Sequence, residues 1–256
     1  MLQPHSILWH YLWLGPNVLQ AALAMLLWRL GLHRQFPVFF AYLSLGATEQ
    51  FILYGMDILP SVSGETYWFA SSVGSIVEAA LVVGVIGELL FHLLRSRPAI
   101  AKDGVRLISG AGALLVLLAT MAAAYTLIVH RQPVLVSRAY VLLQSSYLVD
   151  CGLAVFLFLF AAYQGLTWAR RDFGVVLGFG IVWCEHMAAW AVIANGALAS
   201  RNYLLDFLNM ATYHVCVLIW FYFLLVPQKS ATTSAEPLPE NNLAIWNREL
   251  ERLLQK

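Results

Sequence analysis

Long apolar stretches alternate with short polar connections seven times along the chain, at residues 7–30, 36–59, 67–92, 107–128, 139–166, 173–194 and 203–226. A helix rises ~1.5 Å per residue, so about twenty residues cross the ~30 Å hydrocarbon core of a bilayer. The bilayer interior offers no water to peptide groups, which leaves helices as the spanning form for such segments. The pattern predicts an all-α polytopic membrane protein, a bundle of seven transmembrane helices. Pro16 is the one proline well inside a stretch and predicts a kink beside Asn17.

Basic residues in the connections orient the bundle. Arg29, Arg34, Arg95, Arg97, Lys102, Arg106, Arg170, Arg171, Lys229, Arg248, Arg252 and Lys256 fall on one side, against Arg131, Arg138 and Arg201 on the other. The N-terminus is therefore expected outside and the C-terminus in the cytoplasm. Trp9, Trp13 and Trp68 would mark the outer headgroup level, and Trp28 and Trp168 the inner one. The first stretch is too long for a signal-peptide core and carries its charge after the apolar run, so it reads as a retained span.

Composition agrees: 61% of the 256 residues are hydrophobic and 11% charged, against about 25% charged in soluble domains. Residues 1–228 form the transmembrane domain and leave no room for a soluble catalytic domain. Residues 229–240, rich in Ser, Thr, Pro and Ala, read as a flexible linker. Residues 241–256 read as a cytoplasmic amphipathic helix capped by Asn241 or Asn242. Leu243, Trp246, Leu250, Leu253 and Leu254 form its apolar stripe, flanked by Arg248, Arg252 and Lys256. Such a helix suits the anionic inner leaflet of a plasma membrane, a protein partner, or the bundle itself.

Several activities drop out. The chain has no Walker-type loop, dinucleotide fingerprint or Cys-x-x-Cys pair, and a net charge of +1 gives no basis for nucleic-acid binding. Its three lysines, Lys102, Lys229 and Lys256, all lie outside the apolar stretches. A retinal Schiff base, which needs a lysine at mid-membrane, is excluded.

What remains is an intramembrane polar set, and such residues are functional candidates because burying them is costly. Asn17, Glu49, Glu78, Asp150, Glu185 and His214 come from six different stretches, each ~14–17 Å from the outer end of its helix. Only His186 and His214 could offset the four carboxylates. Four ionised carboxylates cannot share a low-dielectric site alone, so either some keep their protons or a cation sits among them. The expected function is binding of a proton, cation or small amine at mid-membrane, for transport or sensing. Asp57 and Asp206 towards the outside, and Glu88 and His92 towards the inside, would extend a proton path. Glu88 and His92 also read as a snorkelling interfacial pair. Tyr147, Trp183, Trp190 and Tyr213 could wall an amine pocket or serve only as packing.

Two other readings stay open. A membrane metalloenzyme acting on a lipid or apolar substrate would hold a metal ion with His186, His214, Glu49, Glu78, Asp150 and Glu185. Adjacent Glu185 and His186 lack the Glu-x-x-His spacing of di-iron bundles, and haem between His186 and His214 has weaker support. The chain could instead be a structural subunit of a larger membrane complex, and each polar residue could simply hydrogen-bond a neighbouring helix. Cys151, Cys184 and Cys216 could form a thiolate site at similar depth, or pack as small apolar residues.

Overall fold

The structure is a computed structural model. It describes residues 6–95, 135–194 and 203–226, with scattered positions between 104 and 121 and at 247 and 251; side chains of 135–146 and 190–194 are outside the description. Six α-helices carry it: α1 (Ile7–Arg29), α2 (Pro37–Ile58), α3 (Gly64–Leu94), α4 (Leu135–Tyr163), α5 (Arg170–Ala194) and α6 (Leu204–Leu225), plus a 3-10 turn at Leu32–Arg34. No strand occurs among the described residues. These helices coincide with six of the seven apolar stretches. Of the stretch 107–128 only a few residues are described, all helical. The linker, nearly all of the tail helix and the Trp190 side chain lie outside the described residues. By backbone contacts the chain divides into Met1–Leu224 and Leu225–Lys256.

Four helices are long and apolar enough to cross a membrane: Ile7–Arg29, Gly64–Leu94, Arg170–Ala189 and Leu204–Leu225. α2 is as long, but Ser44, Thr48, Glu49 and Gln50 lower its hydropathy. The outer surface is oily. Phe69, Ile76, Phe91 and Leu159 are each more than 60% exposed, a surface that suits lipid better than water.

The helix ends follow from local sequence. Ser6 and Ser63 cap α1 and α3 by accepting from the amides of Trp9 and Thr66, each at 3.2 Å. Gly165, at φ +60°, closes α4. The Leu166 amide donates to Ala161 and the Gly165 amide to Ala162, the paired bonds of a Schellman turn.

α2 is capped from outside its own sequence. Its N-cap is Phe36, which has no side-chain acceptor, and Pro37 follows at the first helical position. The exposed donors are then the amides of Val38 and Phe39. Glu88 of α3 takes both, Oε1 from Val38 at 3.2 Å and Oε2 from Phe39 at 3.0 Å, placing negative charge at the positive end of the helix. One turn on, His92 Nδ1 meets the buried Asp172 of α5 at 2.9 Å. Arg171 donates to Gln35 at 3.4 Å, and Arg170 lies over the Tyr222 ring at 5.0 Å. Glu88 and His92 therefore belong to a satisfied cluster joining α2, α3 and α5.

Around that cluster the bundle is dry. Leu23, Leu27, Phe36, Phe39, Val85, Leu89, Leu157, Val175 and Trp220 are almost fully buried. Gly174 and Gly178 let α5 approach α6: a Cβ on either would overlap Phe223 or Trp220. The Trp220 indole donates to the Val175 carbonyl at 3.2 Å. Small residues spaced by four bring helix backbones together in this way.

Candidate functional site

The other half of the bundle is hollow. Pro16, Asn17 and residues of the preceding turns of α1 line a cavity of about 330 Å³ together with the mid-portions of α2 to α6. Each helix contributes a polar group: Asn17 from α1, Gln50 from α2, Glu78 from α3, Asp150 from α4, His186 from α5, and Asp206 with Asn209 from α6. Trp13, Tyr42, Tyr147, Phe179, Trp183 and Tyr213 supply an aromatic frame. Asp150 is 2% exposed and Asn17 4%, whereas Asp206 is exposed and stands at the rim. The lining runs from mid-helix to the end where α1, α3 and α6 begin.

A hydrogen-bonded floor separates the cavity from the dry half. The Tyr42 hydroxyl donates to Glu78 Oε1 at 3.0 Å. Beside it, the Tyr213 hydroxyl donates to Gln20 Oε1. Gln20, fully buried, donates to the Leu43 carbonyl at 3.0 Å and packs on Gly46, where a Cβ would meet its Nε2 at 2.8 Å. In the wall, His186 Nδ1 pairs with the Val182 carbonyl at 2.8 Å and its Nε2 with Asn209 Nδ2 at 3.3 Å. A neutral ring fits both contacts, with the proton on Nδ1. Its ring centroid lies 4.3 Å from that of Tyr147, the two rings tilted by 49°.

Asn17 differs from its neighbours. Its Nδ2 donates to the Trp13 carbonyl at 2.6 Å, but its buried Oδ1 has no partner. Trp13 in turn donates from its indole to Gln50 at 3.1 Å. Among the described lining residues there is no Lys or Arg. Its acidic side chains are Glu78, Asp150 and Asp206.

Of the six polar residues singled out by sequence, Asn17, Glu78 and Asp150 line this cavity; Glu49, Glu185 and His214 do not. Glu49 lies against the backbone of Gly74, where a Cβ would overlap its carboxylate, and stays within Coulombic range of Glu78. His214 rests on Tyr11 and Gly15, its Nδ1 buried without a partner. Glu185 turns towards Cys216. Its Oε2 is 3.1 Å from His186 Nδ1, but that nitrogen's bond goes to Val182, so both Glu185 oxygens are left without hydrogen bonds. Of the adjacent pair, His186 is the one that faces the cavity.

Among the described residues, no three His, Cys, Asp or Glu side chains converge closely enough to hold a metal ion. Cys151 interacts with Cys184, while Cys216 is buried near Glu185. Sequence reasoning missed Gln20, Tyr42 and Asp172. Gln20 had a usable signal, since it follows Asn17 by three residues and shares its helix face. No family model, curated protein or solved structure matches this chain.

Proposed function

We propose that this protein binds a proton, cation or small amine in the cavity between its helices, for transport or sensing across the plasma membrane. One observation carries the reading: Glu78 and Asp150 stand in a half-open, aromatic-framed cavity with no Lys or Arg among its described lining residues. Carboxylates buried without fixed counter-charge favour a positively charged occupant and disfavour an anion. The chain then crosses the membrane seven times, with its N-terminus outside and its C-terminus cytoplasmic. The twelve-to-three distribution of basic residues supports that orientation, and the cavity opens outwards. Glu49, Glu185 and His214 do not join Glu78 and Asp150 in the cavity lining, which favours the cation reading over the six-residue metal site.

Reconstitution into liposomes tests this. Cation or proton flux depends on pH and falls at least about tenfold in Glu78→Gln, the scale of one charge-assisted contact. Flux and cation binding both unchanged in Glu78→Gln would refute the reading. If the output is signalling, deletion of 242–256 abolishes partner recruitment and spares binding; recruitment that survives the deletion removes the tail from the mechanism.

A further inference from the structure

Two thiols meet at the seam between α4 and α5, next to the cavity. Asp150 of α4 and Trp183 of α5 line the cavity, and the residue after each is a cysteine. A helix turns by about 100° per residue, so Cys151 and Cys184 point past the lining. The two thiols are hydrogen-bonded to each other, and both are free. Cys184 is exposed, and Cys151 is half-buried beside the exposed Leu148 and Val155 of α4. Cys216 is different: it is fully buried and lies near Glu185. A buried cysteine packs as a small apolar residue, which accounts for Cys216 and not for an exposed thiol bonded to a second one.

We propose that Cys151 and Cys184 are a redox-active dithiol, which an organic hydroperoxide dissolved in the lipid oxidises to a disulfide joining α4 to α5. Thiols already in contact across two helices meet the proximity that a disulfide requires. Cys184 opens onto an oily surface, which an uncharged hydroperoxide can reach through the bilayer and a charged reagent cannot. Cys184 Sγ attacks the terminal peroxide oxygen: the S–O bond forms, the O–O bond breaks, and the thiol proton leaves on the alkoxide as an alcohol. Cys151 Sγ then attacks the sulfenic sulfur: the S–S bond forms, the S–O bond breaks, and the departing hydroxide takes the second thiol proton as water. The sulfurs lose two electrons in all, and the peroxide becomes alcohol and water. The new bond ties together two walls of the cavity, whatever the cavity binds.

The test treats the full chain in liposomes with cumene hydroperoxide, alkylates the remaining thiols and maps the peptides by mass spectrometry. Wild type loses two hydrogens at its cysteines, keeps Cys216 open to alkylation, and yields a Cys151–Cys184 cross-linked peptide that dithiothreitol releases. Cumyl alcohol forms in an amount equal to the disulfide. Cys151→Ser stops at a sulfenic acid on Cys184 that dimedone traps, and in Cys184→Ser the remaining Cys151 reacts no faster than Cys216. Oxidised glutathione, charged and confined to water, leaves the pair reduced. The wild-type peptide map decides the pairing even if a variant fails to fold. Survival of all three thiols, a cross-link to Cys216 instead, or undiminished oxidation of Cys151 in Cys184→Ser overturns the proposal. A disulfide formed as readily by oxidised glutathione overturns the lipid route.

Discussion

The two halves of the helical bundle contain similar residues and use them differently. At one end Glu88, His92 and Asp172 are packed into a dry core with their partners in place. Glu88 accepts two helix amides and His92 meets Asp172. In the hollow half Glu78, Asp150 and Asn17 face a cavity, and Asn17 Oδ1 has nothing to accept. Buried polar groups with full hydrogen bonding hold a fold together. Buried groups left waiting destabilise the empty protein and are tolerated where a ligand completes them. Carboxylates alone do not separate the two cases; the cavity beside Glu78 and Asp150 does.

Substitutions can sharpen or break that contrast. The largest effect is expected at Gly178→Val, whose side chain would collide with Trp220 where α5 meets α6. Loss of about 3 kcal/mol or more is expected from overpacking at a site with no room. Reversible unfolding in detergent–SDS mixtures reads it, and a loss below about 1 kcal/mol would mean that the helices separate freely there. Next comes Glu88→Ala, which orphans the Val38 and Phe39 amides and costs on the order of 2–3 kcal/mol by the same measurement. A negligible cost would show that water or another side chain caps α2.

Gln20→Leu is expected to cost about 1–2 kcal/mol, because the Tyr213 hydroxyl loses its acceptor at the cavity floor. The smallest effect has the opposite sign. Asn17→Leu replaces an unmet acceptor with an apolar side chain and leaves the empty protein as stable as before, or up to about 1 kcal/mol more stable. Destabilisation comparable to that of Glu88→Ala would place Asn17 among the structural residues.

The fold was largely legible because helix periods, caps and apolar length are local properties. Described helices fall within a few residues of six apolar stretches, and Gly165 and Ser63 stand where their conformations are needed. The site was legible only in part. Depth along a helix can be counted from sequence, and it brought Asn17, Glu78 and Asp150 to one level. Rotation about the helix axis cannot be counted so well in helices apolar on every side. Glu49, Glu185 and His214 share that depth and point elsewhere, while His186, one residue from Glu185, faces in. Asp172 lies just before its apolar stretch and partners a residue eighty positions earlier, a separation that periodicity does not encode.

Unfolding free energy of three proteins, wild type, Glu88→Ala and the Asn17→Leu/Asp150→Leu double variant, each with and without a saturating small cation (NaCl or 2-phenylethylamine), tests the central claim most directly. Glu88→Ala should be the unstable protein that still gains stability from the cation, because Glu88 lies outside the cavity lining. The double variant should be as stable as wild type when empty and gain nothing from the cation. Stability and cation response lost together in both variants, or retained together in both, would contradict the division of the bundle into a half that holds the fold and a half that holds a cation.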